Sequence, residues 1–159
     1  MTRVPTLVLT FVLLTVAHPA WADLTGFVGA TTSRDARPVK GVALGAGLLF
    51  LGFEFEWATT DEDLSSGAPS LTTGMANVLL QAPVPVLRMQ PYFTTGAGLY
   101  RERLGSAQDT AFGLNTGGGV KITLAGPLRI RLDYRVFRLG SDAIVSPSHR
   151  LYAGVNLGF

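Results

Sequence analysis

The sequence predicts an all-β chain whose eight strands run antiparallel, up and down, into a closed barrel. Three observations carry this. Large apolar residues recur at every second position, and no segment after residue 22 keeps apolar residues at helical spacing over several turns. The links between the alternating runs are themselves alternate in kind, polar and longer, then tight or apolar. Finally, charged residues and glycines fall repeatedly on the same face of a strand, opposite the apolar face.

Taken in order, strand one spans Leu24 to Thr32 and is bounded by the polar link SRDARP. Its alternation is poor and leaves its facing open. Strand two, Val39 to Leu48, carries Gly45-Ala46-Gly47 and turns around Leu49-Phe50. Strand three, Leu51 to Thr60, sets Phe53, Phe55 and Trp57 against Glu54, Glu56 and Ala58, and ends in the link TDEDLSSGAPS. Strand four, Leu71 to Ala82, alternates as poorly as strand one and ends in APVPVLR.

Strand five, Met89 to Arg103, sets Phe93, Ala97 and Leu99 against Tyr92, Thr94, Gly96, Gly98, Tyr100 and Glu102. The link GSAQDTA leads into strand six, Thr110 to Leu124. That strand opposes Phe112, Leu114, Val120, Ile122 and Leu124 to Gly113, Asn115, Gly117, Gly119, Lys121 and Thr123. After Ala125-Gly126-Pro127, strand seven, Leu128 to Leu139, alternates Leu128, Ile130, Leu132, Tyr134 and Val136 with Arg129, Arg131, Asp133 and Arg135. The link GSDAIVSPS precedes strand eight, Ser148 to Phe159. It opposes Leu151, Val155, Leu157 and Phe159 to Arg150, Tyr152, Gly154, Asn156 and Gly158. The repeated glycines at 45–47, 96–98 and 117–119 are not a nucleotide loop, because that motif needs a strand-to-helix junction and none follows.

The shared face decides which side is wet. On a convex, solvated surface there is unlimited room and glycine merely weakens the strand. The lumen of an eight-stranded barrel is only just wide enough for side chains to fill it, so long charged side chains there need small neighbours. The charged face is therefore expected inside. Glu54, Glu56 and Asp133 are expected to pair with Lys121, Arg129, Arg131 and Arg135, which offsets the cost of burying each charge alone. The apolar face then meets lipid. Most runs reach the roughly 9–11 residues that cross a bilayer at a tilt, whereas globular strands usually have about 5–6. The expected fold is an eight-stranded antiparallel up-and-down transmembrane β-barrel, with Trp57, Tyr100 and Tyr134 as candidates for aromatic girdles.

The first 22 residues, MTRVPTLVLTFVLLTVAHPAWA, read as a secretory leader: Arg3 as the positive head, an apolar run from Leu7 to Val16, and Ala20-Trp21-Ala22 as a small-x-small cleavage site. The apolar run is about half the roughly 20 residues a spanning helix requires. Residues 23–159 then form one domain. Without Arg3, the 13 basic residues of the full chain fall to one more than its 11 acidic ones. That balance, with the charges scattered, argues against a nucleic-acid partner. The chain has no cysteine, so no disulfide, thiolate metal site or cysteine nucleophile exists.

Strand eight ends in the pattern Tyr152, Gly154, Leu157, Phe159. Together with the leader, the eight strands and the loop alternation, this pattern resembles the outer-membrane β-barrel family of the small OmpA/OmpX type. In that family the last strand carries an assembly signal: a polar residue, a glycine two positions on, then an apolar residue and a terminal aromatic. The resemblance implies that the barrel-assembly machinery reads this strand in the periplasm of a Gram-negative-type bacterium and that strand eight closes against strand one. It also implies that the longer loops face outward, and that outer-membrane lipid and lipopolysaccharide surround a monomer.

No cofactor or metal is expected, since a single mature histidine and the run Asp61-Glu62-Asp63 lack a liganding pattern. That run reads as a solvated loop tip. Catalysis is not expected either: His149 lies beside Ser148, but adjacent strand residues point to opposite faces and cannot form a nucleophile–base pair. An open pore would need about 16–18 strands. The expected role is structural, or one of surface interaction. Two alternatives belong to other classes: a secreted lipocalin-like barrel holding an apolar ligand in its lumen, and a lipid-modifying outer-membrane enzyme.

Overall fold

The computed structural model describes residues 21–32, 36–140, 143 and 146–159. Eight strands follow one another: β1 (Trp21–Thr31), β2 (Arg37–Leu48), β3 (Leu51–Thr60), β4 (Ser70–Gln81), β5 (Met89–Leu104), β6 (Ala107–Ala125), β7 (Leu128–Arg138) and β8 (Ser148–Gly158). Each pairs antiparallel with the next, and β8 pairs with β1, so the sheet closes without a free edge. Closure is continuous to the strand ends, where Ala22 and Phe159 exchange both backbone hydrogen bonds at 2.9 Å. The predicted leader lies outside the described residues except for Trp21 and Ala22, which begin β1 two residues ahead of the predicted cleavage point.

The period of two holds in space. On β3, Phe53 and Trp57 are 58% and 52% exposed, while Glu54 and Glu56 between them are 4% and 0% exposed. Strands one and four, whose faces the alternation left open, direct Asp23, Thr25 and Phe27, and Leu71, Thr73, Met75, Asn77 and Leu79, into the lumen. Their pattern blurs because both strands place apolar residues inward as well as outward. These inward apolar side chains form two small clusters. Phe27, Val39, Ala58 and Tyr152 pack together near mid-barrel, and Leu71, Met75, Tyr100, Phe137 and Leu139 fill the end that carries the longer loops.

Two expectations are corrected. The link GSAQDTA is not a long loop: β5 and β6 stay paired up to Leu104 and Ala107, leaving a two-residue turn of Gly105 and Ser106. Gly105 adopts φ +60°, a conformation glycine enters without a Cβ clash, so the hairpin tightens and projects past its neighbours. Tyr100 is not a girdle residue. It points inward and is 1% exposed, because it shares the parity of the glycines at 96 and 98, whereas Trp57 and Tyr134 do face outward.

Candidate functional site: the charged lumen

The interior is built on β7. Arg131, Asp133 and Arg135 project inward from alternate positions and are each 0–2% exposed. Arg131 forms an ion pair with Glu54 of β3, reaches Asp133 Oδ2 at 2.9 Å through Nη2, and donates from Nε to the Tyr92 hydroxyl at 2.7 Å. Arg135 donates from Nη2 to Glu54 Oε1 at 2.8 Å and from Nε to Asp133 Oδ1 at 3.0 Å. Its Nη1 stands 3.1 Å from Glu56 Oε2, an electrostatic contact without hydrogen-bond alignment.

Arg135 and Arg150 of β8 lie directly opposite each other, a like-charge pairing that destabilises a sheet. Glu56 resolves it by standing between them: Arg150 Nη1 donates to Glu56 Oε1 at 2.9 Å. The Tyr152 hydroxyl donates to Asp133 Oδ2 at 2.9 Å and accepts from Arg135 at 3.1 Å. Asn77 extends the network, donating to Glu54 at 3.3 Å and accepting from Asn115 at 2.8 Å. A separate pair, Lys121 and Asp23, meets at 2.5 Å. Each buried guanidinium thus has carboxylates within reach, the arrangement required for charges removed from water.

Glycines make the room. Opposite Asp133 across β6 lies Gly119, where a Cβ would stand 2.4 Å from the Tyr92 hydroxyl oxygen. Opposite Arg135 lies Gly117, where a Cβ would come within 3.0 Å of the arginine Cγ. At Gly41 a Cβ would fall 2.4 Å from the Phe27 ring, and that ring stacks on Tyr152 at 4.1 Å between centroids.

The structure therefore brings together Glu54, Glu56, Arg131, Asp133 and Arg135 and sets Lys121 apart with Asp23. Arg129 does not join them. It is half-buried beside Gly158 at the tight-turn end and makes no ion pair among the described residues, because it lies two positions below the level of the carboxylates. Arg150, Tyr92 and Asp23 are members that the sequence reading did not assign to the network. Arg150 and Tyr92 share the parity of the glycines and charges on their strands, which is the signal that marks them; Asp23 lies on a strand without clear alternation.

In strand eight, Tyr152 and Gly154 face the lumen, while Leu157 and Phe159 face outward, 43% and 77% exposed. Gly154 is where the wall passes Phe27: a Cβ there would stand 2.8 Å from that residue's Cβ. Ser148 is buried on the lumenal side, and His149 points the other way, its Nδ1 2.7 Å from the Tyr134 hydroxyl. Among the described residues no group of His, Asp and Glu could hold a metal ion. At the loop tip, hydrogen bonds from the Ser65 and Ser66 side chains hold the Asp63 carboxyl below the usual range.

A closed eight-stranded wall, charges turned inward and apolar side chains turned outward, defines the architecture of small outer-membrane barrels. No family model matches the chain, and no curated protein matches it in sequence. Among solved structures it is similar to Neisserial surface protein A, at 18% identity over 88% of this chain and 97% of that one, with a TM-score of 0.70. It is also similar to the N-terminal β-barrel domain of Pseudomonas aeruginosa OprF, at 13% identity over 87% and 97% of the two chains, with a TM-score of 0.66. The outer membrane enzyme PagL follows the same fold at 12% identity over 85% and 98%, with a TM-score of 0.53. At these identities the likeness is one of fold.

Proposed function

We propose that this chain is a small integral outer-membrane β-barrel of a Gram-negative-type envelope, with a structural or surface-interaction role and a lumen filled by its own side chains. The observation that carries the reading is the inverted polarity of the wall. Four buried cations, Lys121, Arg131, Arg135 and Arg150, are engaged inside, while Phe53, Phe55, Trp57, Phe93, Phe112 and Leu114 are all more than half exposed outside. In water that exterior would be a very large apolar patch; against hydrocarbon it is the lipid-facing band. The strands, the shortest of 10 residues, are long enough to cross.

On this reading the leader exports the chain, the assembly machinery reads Tyr152, Gly154, Leu157 and Phe159, and the barrel sits as a monomer among outer-membrane lipids with its longer loops outside. A lipocalin-like pocket is disfavoured by a lumen lined with ion pairs in place of an apolar cavity. A lipid-modifying enzyme is disfavoured because Ser148 and His149 stand on opposite sides of the wall. The test is expression with the leader in a Gram-negative host, followed by gel electrophoresis of outer-membrane fractions in SDS with and without boiling. A band that migrates differently after boiling is expected; recovery as a soluble periplasmic protein without a mobility shift would overturn the reading.

A further inference from the structure

The outer wall is not uniformly bulky. Across β3, β4, β5 and β6 the register places three rows of outward-facing residues one above another: Phe55, Ala76, Ala97, Leu114; then Trp57, Gly74, Leu99, Phe112; then Thr59, Thr72, Arg101, Thr110. In the two lower rows Gly74, Ala76 and Ala97 leave a low path bounded by Phe55 and Trp57 on one side and by Leu99, with Leu114 and Phe112 beyond it, on the other. The result is a groove of about 510 Å³ running along the strands, within the range of about 300–1,000 Å³ typical of ligand pockets. Its upper end opens into a second, polar cavity of about 470 Å³, and the two share Thr72 and Arg101.

Arg101 stands at the junction. Its Nε donates to Thr110 Oγ1 at 3.3 Å, and among the described residues it has no carboxylate partner. The acids of the polar cavity are otherwise engaged: Glu62 lies 3.6 Å from Arg103 and accepts from the Gly105 backbone at 3.2 Å, and Asp61 lies 4.0 Å from Lys40. The site is therefore an apolar trough capped by an exposed guanidinium that has no counter-ion among the described residues and is flanked by threonine hydroxyls.

We propose that this groove binds one acyl chain of an anionic lipid that bears a phosphate monoester in the loop-side leaflet, with that phosphate on Arg101. Chain-sized apolar width below, and a planar bidentate donor above, are complementary to the two parts of such a molecule. A second copy of the barrel would have to fit a bulky wall over a trough and bury Arg101 without an acid, so a lipid suits the charge better. The inference rests on the membrane reading above.

Trp57 forms one side of the groove and is one of only two tryptophans, the other being Trp21, so it reports directly on the occupant. The mature chain, which begins at Asp23 on the leader reading and so carries Trp57 as its one tryptophan, is refolded into phosphatidylcholine vesicles that contain either dibromostearoyl phosphatidic acid or the phosphatidylcholine carrying the same brominated chain. The phosphatidic acid is expected to quench Trp57 at a several-fold lower mole fraction than the phosphatidylcholine. Arg101→Gln should abolish that preference while quenching by phosphatidylcholine persists. Gly74→Leu, which fills the trough at a position where a Cβ has ordinary clearance of 3.6 Å from the Trp57 ring, should weaken quenching by both lipids.

Equal quenching by the two lipids in the parent protein, or a preference that survives Arg101→Gln, would overturn the proposal and leave the membrane reading standing. Weak quenching by both, with a heat-modifiable band and a cross-linked dimer, would assign the groove to a second copy and overturn it as well. No quenching by either lipid in a folded protein would overturn the membrane reading and the proposal together.

Discussion

Arg135 shows how much one lumenal side chain holds. Its guanidinium is shared among Glu54, Asp133 and Glu56 and also donates to Tyr152, so no shorter residue can replace it. Arg135→Met keeps most of the volume but takes one cation from three buried carboxylates, leaving Glu54 and Asp133 to share Arg131 and Glu56 with Arg150 alone, and removing one partner of a buried pair costs about 3–5 kcal/mol. The variant is expected to unfold at distinctly lower urea in lipid vesicles. Tyr92→Phe is gentler: it deletes one hydroxyl that accepts from Arg131 and donates to Asp133, and it should cost about 1–3 kcal/mol, the range for leaving buried polar groups unsatisfied. A urea midpoint for Arg135→Met equal to that of Tyr92→Phe would show that the network is not centred on Arg135.

Among the elements, β7 makes the sharpest case, because adjacent residues meet opposite surroundings. Leu132 lies mid-strand and outward, 42% exposed, beside the fully buried Arg131. An arginine on the lipid face near the bilayer midplane costs about 2–4 kcal/mol. Leu132→Arg is therefore expected to destabilise the barrel by that much in vesicles, even though the neighbouring position holds an arginine natively. A stability unchanged by Leu132→Arg would mean that the outer face is not against hydrocarbon.

Such contrasts were legible in the sequence wherever one face is largely apolar: on β3, β7 and β8 the strand limits, to within a residue, and the facing emerge from alternation, and on β6 the facing does, although the strand begins three residues earlier than expected, at Ala107. On β1 and β4 they were not, since Phe27, Leu71, Met75 and Leu79 point inward and an apolar residue does not announce which side it packs on. Individual ion pairs were illegible for a different reason. Glu54 meets Arg131 across the lumen, 77 positions along the chain, and that contact depends on tilt and closure, which no local pattern encodes. Arg129 has the right type and parity for the network but the wrong height along the barrel, a quantity set by the same global geometry.

For the molecule as a whole, the lumen is blocked at two levels by unlike materials. At the waist, carboxylates and guanidinium groups occupy the cross-section; towards the longer loops, Leu71, Met75, Tyr100, Phe137 and Leu139 pack across it, and the Arg150 guanidinium lies 4.3 Å from the Phe137 ring centroid, joining the two layers. An ion would have to break paired charges and then cross an apolar constriction, and eight strands leave no spare width to go around either. In planar bilayers the protein is therefore expected to show no stable porin-like conductance. The layers act in series, so opening one does not open the path: Tyr100→Ala should remain silent, because the ion pairs persist, and Glu56→Ala should remain silent behind the apolar layer. The double variant, verified as folded by its heat-dependent mobility, should produce measurable current. Conductance in either single variant would show that one layer alone seals the barrel, and current in the unmodified protein would show that neither does.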